Sequence, residues 1–228
     1  DPDQLREALD GCDGVINLAG ILNESSASND DFETVHVELV RRLASACRDT
    51  GVSRLVHMCS LGAAAEGPSL YLSTKYAGEQ EAFKAADFGV QVTSMRPSVI
   101  FGPGDSFFAR FAQLLRFTPG MLPLACPDAK MSPVYIKDVA QAFASCLEDE
   151  ATVGKVFELA GPRVYTLREL VEFTARVAKL DRDVLGLPDG LSRLQATVMG
   201  LIPGKPFSLD NYRSLQVDSV LSGPNGLG

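Results

Sequence analysis

Short apolar runs alternate with longer amphipathic segments along the first 100 residues of the chain. The runs contain almost no polar alternation, as is typical of strands buried on both faces, and they occupy residues 14–20, 55–59 and 90–95. Apolar residues at helical spacing predict helices over 3–9, 32–50 and 70–86. This alternation is the pattern of right-handed βαβ crossovers, so we predict an α/β fold with a doubly wound parallel sheet of the Rossmann type.

The pattern is less regular after Pro103-Gly104. We expect the following elements there: a helix near 107–116, a helix beginning at Asp138, a strand over 155–160 and a helix opened by the capping box Thr166-Leu-Arg-Glu169. The chain therefore divides into residues 1–104 and a small, mostly helical region over 105–228. Residues 133–160 of the second part are expected to return to the sheet.

A weaker helical stripe lies near the end of the chain. Its apolar residues recur one helical turn apart, at Leu191, Leu194, Val198 and Leu201. Two interpretations are open, because such a stripe can face a partner or a membrane surface, or can cover the protein's own core.

The composition narrows the classes of function. Of the 228 residues, 46% are hydrophobic and 22% are charged, which excludes disorder as the main state. A net charge of −8 argues against a nucleic-acid partner, because neutralising phosphates takes a basic surface. No apolar run approaches the roughly 20 residues that cross a bilayer, so we expect no transmembrane segment. Five cysteines without a CxxC pair, and two histidines, predict buried thiols and no metal site.

The first candidate chemistry is the pair Tyr71 and Lys75, four residues apart on one predicted helix. On one helix face, the ammonium can lower the pKa of the phenol and let it exchange a proton. A solvated lysine beside a half-buried tyrosine is a common alternative. The pair follows the strand that ends at Cys59-Ser60, so the Ser60 hydroxyl is expected at the same edge of the sheet. Arg96 and Arg110 are candidates to meet an anionic ligand group or are plain surface charges.

Five motifs occur in the order found in extended short-chain dehydrogenases/reductases, the NAD-dependent epimerase/dehydratase superfamily, which the sequence resembles. They are Asn17-Leu-Ala-Gly20, the turn at Ser60, Tyr71-Leu-Ser-Thr-Lys75 followed by Ala77-Gly78-Glu79, Arg96-Pro-Ser-Val-Ile-Phe-Gly-Pro-Gly104, and Val134-Tyr-Ile-Lys-Asp138. The resemblance covers residues 1 to about 160 well and the rest loosely.

The resemblance implies an NAD(P)(H) cofactor and assigns roles to particular residues. Residues 1–104 become a partial NAD(P)-binding Rossmann domain, and 105–228 a substrate region. Catalysis is assigned to Tyr71, Lys75 and Ser60. Cofactor contacts are assigned to Asn17, Ala19 and Gly20 at the adenosine half, Lys75 at the nicotinamide ribose, and Pro97, Val99 and Ile100 at the nicotinamide pocket.

Two departures from the family pattern bear on activity. Catalytic members usually have an asparagine where this sequence has His36, and by our register the catalytic hydroxyl position falls on Leu61, one residue after Ser60. Both departures resemble an atypical branch that contains the NAD(P)-binding accessory subunit of respiratory complex I and its bacterial relatives. His36 is expected to be a satisfied core residue, which is the commoner role of a histidine on an inner helix face.

This branch leads to a primary hypothesis and an alternative. The primary hypothesis is an NAD(P)(H)-binding protein with weak or no turnover, whose partners are complex I or quinone-pathway proteins. It would be cytoplasmic, peripheral at the inner membrane, or in the mitochondrial matrix of a eukaryote. The alternative is an active oxidoreductase or epimerase on a nucleotide sugar or a similar hydroxyl or carbonyl compound, with Tyr71 and Lys75 as its catalytic pair.

One standard part of the fold is not found in the sequence. No glycine-rich βα turn of the GxGxxG type precedes Gly20, although that turn holds the pyrophosphate in dinucleotide folds. We therefore expect the chain to be a piece of a longer protein, without the N-terminal strands and with impaired NAD(P) binding. The strand at 14–19 would then be an open edge with Val15, Ile16 and Leu18 uncovered.

Overall fold

The computed structural model describes residues 2–24, 31–202 and 206–223. Its helices are α1 (Pro2–Leu9), α2 (Leu39–Thr50), α3 (Leu70–Lys84), α4 (Phe107–Phe117), α5 (Ile136–Glu148), α6 (Leu167–Val177), α7 (Asp189–Met199) and α8 (Leu209–Ser214). A π-helical turn, Thr34–Glu38, runs directly into α2, and short 3-10 turns cover Ala85–Phe88 and Glu150–Thr152. The strands are β1 (Gly14–Asn17), β2 (Arg54–Met58), β3 (Gln91–Pro97), β4 (Ile100–Phe101), β5 (Met121–Leu124), β6 (Lys130–Met131), β7 (Val134–Tyr135), β8 (Val156–Leu159), β9 (Tyr165–Thr166) and β10 (Asp183–Gly186).

Four parallel strands form the central sheet in the order β1-β2-β3-β8. Neighbouring residues of β2 point to opposite faces: Leu55 packs with α2 and the end of α3, whereas Val56 packs with α5. Helices therefore cover both faces of the sheet, and the prediction of a doubly wound α/β fold is confirmed. The apolar runs predicted these strands because a parallel sheet between two helical layers has no solvent-facing side.

The face that carries the candidate site is packed closely enough to require one glycine. A Cβ atom on Gly78 of α3 would lie 1.9 Å from the carbonyl oxygen of His36, in the π-helical turn. The backbones of α3 and of this turn are therefore in direct contact. Ser69 begins α3 by accepting the N–H of Leu72 on its hydroxyl, at 3.2 Å.

The C-terminal region has an apolar core of its own. Residues of α4, β5 and α6 form it, with Leu115, Leu122 and Val171 among its buried members. The predicted capping box is present at the start of α6, where Thr166 and Glu169 bond each other's backbone N–H groups. The division of the chain at residue 104 remains a prediction.

Strand β1 lies at an edge, pairing only with β2 among the described residues. Ile16 and Leu18 are exposed, the latter by 58%, as expected of an open edge. The expectation for Val15 was wrong, because its side chain points to the other face and packs against the cluster that contains residues of α1 and α2.

The cysteines are all free thiols, but they are not all buried. Cys12 is exposed because it lies in the turn between α1 and β1, and Cys126 is half-buried. Within the residues that the structure describes, no helix is long and apolar enough to cross a membrane. The same residues contain no group of three or more side chains arranged to hold a metal ion.

Candidate functional site

The carboxyl ends of β1 and β2 meet the first turns of α3 at one edge of the sheet. Because parallel strands end on the same side, the turn after β1, Ser60 after β2 and the Tyr71–Lys75 pair of α3 all lie there. The structure therefore brings together most of the residues assigned to the site from the sequence.

Asn17 fixes the turn that follows β1. Its side-chain oxygen accepts the N–H of Ala19 at 3.1 Å, and its amide nitrogen donates to Nδ1 of His57 at 3.0 Å. Gly20 is exposed, yet a Cβ atom there would lie 3.6 Å from Nζ of Lys75. The turn thus places exposed backbone directly beside the lysine of the candidate site.

Lys75 is almost completely buried, with 5% of its surface exposed. Its ammonium donates to the carbonyl oxygen of Met58, at the end of β2, at 2.6 Å. Burial lowers the pKa of Lys75, and its interactions with Cys59 and Glu79 oppose that shift. The lysine is held by the backbone of the sheet rather than by a carboxylate.

The hydroxyl beside Tyr71 belongs to Ser60. Ser60 lies close enough to the phenol to affect its pKa, and its hydroxyl donates to the carbonyl of Leu61 at 3.4 Å. The Leu61 side chain is buried, and the Leu61 backbone N–H donates to the carbonyl of Pro97 at 3.1 Å. The sequence register assigned the catalytic hydroxyl position to Leu61. In the structure it is Ser60, and not Leu61, that lies beside Tyr71. The catalytic role of Ser60 remains a prediction.

The pKa of Tyr71 is raised, mainly because burial disfavours the phenolate, while the nearby Ser60 hydroxyl opposes the shift. We expected Lys75 to lower this pKa, and the structure shows no such lowering. The physical reason is that partial burial disfavours the phenolate, and the ammonium is engaged with Met58. At neutral pH the Tyr71 phenol is protonated.

The three residues assigned to the nicotinamide pocket lie after or at the end of β3, and they face different surroundings. Pro97 is buried and joins the Ser60-Leu61 turn through its carbonyl. Val99 packs against the C-terminal core, and Ile100 packs against the core under α5. Their common role at a nicotinamide remains a prediction.

His36 lies against Tyr71, with the two rings edge to face and their centroids 5.6 Å apart. Its Nε2 accepts the N–H of Ile21 at 3.1 Å, so this nitrogen carries no proton. Nδ1 then holds the proton and donates to Oγ1 of Thr74 at 3.0 Å, since that hydroxyl already donates to the carbonyl of Leu70. Burial, with the charge of Lys75, lowers the pKa of His36 to about 4.

The sequence correctly indicated a satisfied buried histidine at position 36, but it did not indicate where that histidine lies. His36 connects the turn after β1 to the helix that carries Tyr71 and Lys75. The place of His36 in the sequence could have indicated this position. It falls in the predicted helix over 32–50, which packs between the turn after β1 and α3.

Arg96 is not a free cation at the site. It forms a two-point ion pair with Glu79 of α3, whose side chain is 1% exposed. The same carboxylate accepts a hydrogen bond from the Ser94 hydroxyl at 2.5 Å. The interpretation of Arg96 as a ligand for an anionic group is therefore replaced by a structural one. The ion pair fixes α3 against β3 one helical turn after Lys75.

Residues 1–160 match the family model described as the NAD dependent epimerase/dehydratase family. The chain belongs to this family. The match ends where the family resemblance in the sequence becomes loose, and it includes β1, β2, α3 and all the residues of the candidate site.

Several curated proteins are similar to the chain. Subunit 9 of the NADH dehydrogenase (ubiquinone) 1 alpha subcomplex of Mus musculus, a mitochondrial protein, is 31% identical over 224 residues, which is 97% of this chain and 58% of the mouse protein. The NADH-ubiquinone oxidoreductase 40 kDa subunit of Neurospora crassa is 29% identical over 195 residues, or 86% of this chain and 50% of that protein. The 2-alkyl-3-oxoalkanoate reductase of Stenotrophomonas maltophilia is 27% identical over 195 residues, which is 75% of this chain and 58% of the reductase. The chain thus spans between half and three fifths of these proteins.

Solved structures of the family share the fold. The UDP-glucose 4-epimerase of Thermus thermophilus in complex with NAD superposes with a TM-score of 0.67 at 22% identity, covering 93% of this chain and 82% of the epimerase. MoeE5 in complex with UDP-glucose and NAD gives a TM-score of 0.68 at 21% identity, covering 83% of this chain and 72% of MoeE5. These similarities establish the Rossmann-type architecture.

Proposed function

We propose that the chain is part of an NAD(P)(H)-binding protein related to the complex I subunits, with weak or no turnover. The observation that carries this proposal is that the polar groups around Tyr71 are bonded to the protein itself. Lys75 donates to Met58, and both ring nitrogens of His36 are engaged. A site of this kind favours holding a ligand over moving protons.

The residues present fit a nucleotide at this edge of the sheet. Asn17 fixes the turn at Ala19, and Gly20 leaves its backbone open to approach. Among the described residues Lys75 has one acceptor for its three N–H groups, so two can meet ribose hydroxyls. We propose Pro97, Val99 and Ile100 as neighbours of the nicotinamide. That ring supplies hydride chemistry when it is bound, and the protein supplies its position.

Calorimetric titration of the intact protein with NADH and NADPH tests this proposal. We expect binding without turnover on a panel of carbonyl and hydroxyl compounds. Lys75→Ala should weaken binding about tenfold or more, since it removes charge-assisted hydrogen bonds. Lys84→Ala is the matched control, because Lys84 lies on the same helix but is largely exposed and pairs with Glu81. Equal affinity of the wild type and Lys75→Ala would contradict the proposed site.

We further propose that residues 1–228 alone bind the nucleotide weakly. The sequence has no glycine-rich βα turn before Gly20, and this turn supplies the helix N-terminus that meets the pyrophosphate. The same titration on residues 1–228 should show no binding at micromolar nucleotide. Micromolar affinity for NADPH would contradict this.

The presence of the Ser60 hydroxyl beside Tyr71 favours the alternative, an active oxidoreductase or epimerase. In that mechanism Tyr71 transfers a proton at its phenolic oxygen, Lys75 orients the ribose and Ser60 orients the substrate. A nicotinamide absorbance change with one compound of the panel, lost in Tyr71→Phe, would establish the alternative. Retained nucleotide binding without any such change supports the primary proposal.

We propose that the exposed stripe along α7 and the turn that follows it is the surface for a complex I or quinone-pathway partner at the inner membrane or in the matrix. Its residues Leu191, Leu194, Val198 and Leu201 are all exposed, Leu201 by 83%, which favours the partner interpretation over a cover for the core. Leu194→Glu with Leu201→Glu should abolish co-purification with that partner. Phe88→Glu, at an exposed position elsewhere, is the matched control. Unchanged co-purification would exclude this surface.

The domain division is part of the same proposal. We assign residues 1–104 to a partial nucleotide-binding domain and 105–228 to the region that would cover a substrate, with 133–160 packed on the sheet. Strand β8 beside β3, and α5 under the sheet, support the last assignment.

A further inference from the structure

The helix that carries Tyr71 is capped by a side chain 139 residues further along the chain. The Asp210 carboxylate, from α8, accepts the N–H of Leu70 at 2.7 Å and the N–H of Tyr71 at 3.1 Å. These are two of the N–H groups that a helix leaves without intrahelical partners in its first turn. The helix dipole adds to the attraction, because it favours a negative charge at this end.

A second contact from α8 reaches the residue that begins the same helix. The hydroxyl of Ser214 donates to Oγ of Ser69 at 2.8 Å, and Ser69 in turn accepts the N–H of Leu72 at 3.2 Å. All three N–H groups of the first turn of α3 are therefore bonded directly to α8 or to a side chain that α8 holds.

Helix α8 is itself anchored on both sides. The phenol of Tyr212 donates to Asp189 of α7 at 2.6 Å, and the amide of Asn211 donates to the carbonyl of Leu22, after β1, at 3.3 Å. Asp210 also lines a cavity of about 320 Å³ with Phe32, whose ring is 6.0 Å from that of Tyr71. A carboxylate held in this way has little freedom to follow a displaced helix end.

We infer that Asp210 is a positioning residue for Tyr71: from the C-terminal region, it sets the place of the first turn of α3 and hence of the phenol beside Ser60. Tyr71 is the second residue of that turn, so any shift of the turn moves its ring relative to Ser60. The inference concerns where the phenol lies and applies whether or not the intact protein turns over a substrate.

The test combines two measurements on the intact protein. Amide hydrogen exchange reports the N–H groups of Leu70 and Tyr71, and the NMR signal of ¹³Cζ-labelled tyrosine, assigned with Tyr71→Phe, reports the phenol. Asp210→Ala should lower protection of the two amides by about 10- to 100-fold, the value of one charge-assisted hydrogen bond. It should also move the Tyr71 signal in the direction that Ser60→Ala moves it.

Asp210→Asn keeps an oxygen acceptor, so it should lose less protection than Asp210→Ala and serves if the alanine variant does not fold. Asp218→Ala is the matched control, because Asp218 is also an aspartate that accepts a backbone N–H, at 3.0 Å, but that N–H belongs to Lys130 of β6 and not to α3. Unchanged protection in the Asp210 variants overturns the inference. So does an equal loss in Asp218→Ala, or a loss of protection with a stationary Tyr71 signal, since capping would then not position the phenol.

Discussion

His36 shows how a single side chain can be buried, fully bonded and still close to a reactive group. Two hydrogen bonds together require the neutral ring. Nε2 must be unprotonated to accept the N–H of Ile21, and Nδ1 must be protonated to donate to the hydroxyl of Thr74. Protonation at Nε2 would break the first bond and place a cation beside Lys75. The environment therefore selects one tautomer and one charge state.

The pH dependence of stability follows from this selection. The folded pKa of His36 is about 4 and that of His57 about 3, both lowered from 6.5, so the unfolded chain binds more protons below about pH 6.5. The contribution of the two neutral histidines to the free energy of unfolding should be fully present above that pH. It should fall as the pH drops toward 4. Urea unfolding at a series of pH values should show this fall, and His36→Asn should make it shallower. Because the chain has two histidines, NMR titration can check each; titration of the His36 ring near pH 6.5 would contradict the assignment.

The Glu79–Arg96 pair gives a second prediction at this scale. Glu79→Gln leaves the guanidinium without its buried counter-charge and should lower the free energy of unfolding by about 3–5 kcal/mol. Glu81→Gln is the control on the same helix, because its partners Arg41 and Lys84 are more than half exposed. The control should cost about 1 kcal/mol or less in urea denaturation. Similar losses in both variants would mean that burial does not set the strength of the pair.

At the scale of elements, the contact between α3 and the π-helical turn sets the geometry of the site. Tyr71 and Lys75 reach the ends of β1 and β2 because α3 lies against the turn with only a glycine, Gly78, between the backbones. The π-helical turn carries His36 on the side facing this contact. Such turns are frequent where a helix must adapt to a functional site.

Gly78→Ala is the direct test of this contact. The added methyl group would lie 1.9 Å from the backbone oxygen of His36, so helix and turn must separate, and we expect a loss of at least about 3 kcal/mol. Gly190→Ala, in α7, meets nothing within 4 Å and should be neutral or stabilise by up to about 1 kcal/mol. Thermal unfolding of both variants measures the difference. A tolerated Gly78→Ala would show that the two elements are not in contact.

The element order could be predicted from the sequence because it depends on local periodicity. The apolar runs and the helical spacing gave the central strands and α2, α3 and α6 to within a few residues, and the motif spacing placed Tyr71, Lys75 and Ser60 together. The links made by His36 and Asp210 could not be predicted, because each joins residues that are distant in sequence and depends on side-chain direction. The raised pKa of Tyr71 depends on burial, which spacing does not reveal.

At the scale of the whole molecule, the edge of β1, which has no partner strand in the described part of the chain, and the stripe along α7 are two separate apolar surfaces. The first exposes backbone groups as well as the side chains of Ile16 and Leu18, whereas the second exposes side chains alone. An open edge recruits another strand, and a helical stripe packs against an apolar face. The two surfaces therefore predict different kinds of association.

Residues 1–228 should self-associate through β1. Ile16→Lys, which puts a charge on the edge strand, should shift the molecule toward the monomer in size-exclusion chromatography with light scattering. Leu194→Glu, on α7, should leave that association unchanged. A monomeric unsubstituted chain, or a shift produced by Leu194→Glu instead, would contradict the role of β1.

The cap on α3 also has a consequence for the order of folding. Asp210 lies 139 residues after the N–H group of Tyr71, so during synthesis the strands, α2 and α3 emerge from the ribosome long before their partner in α8. Closing so long a loop is slow compared with forming a helix. The Tyr71 turn is therefore expected to be among the last parts of the molecule to become native.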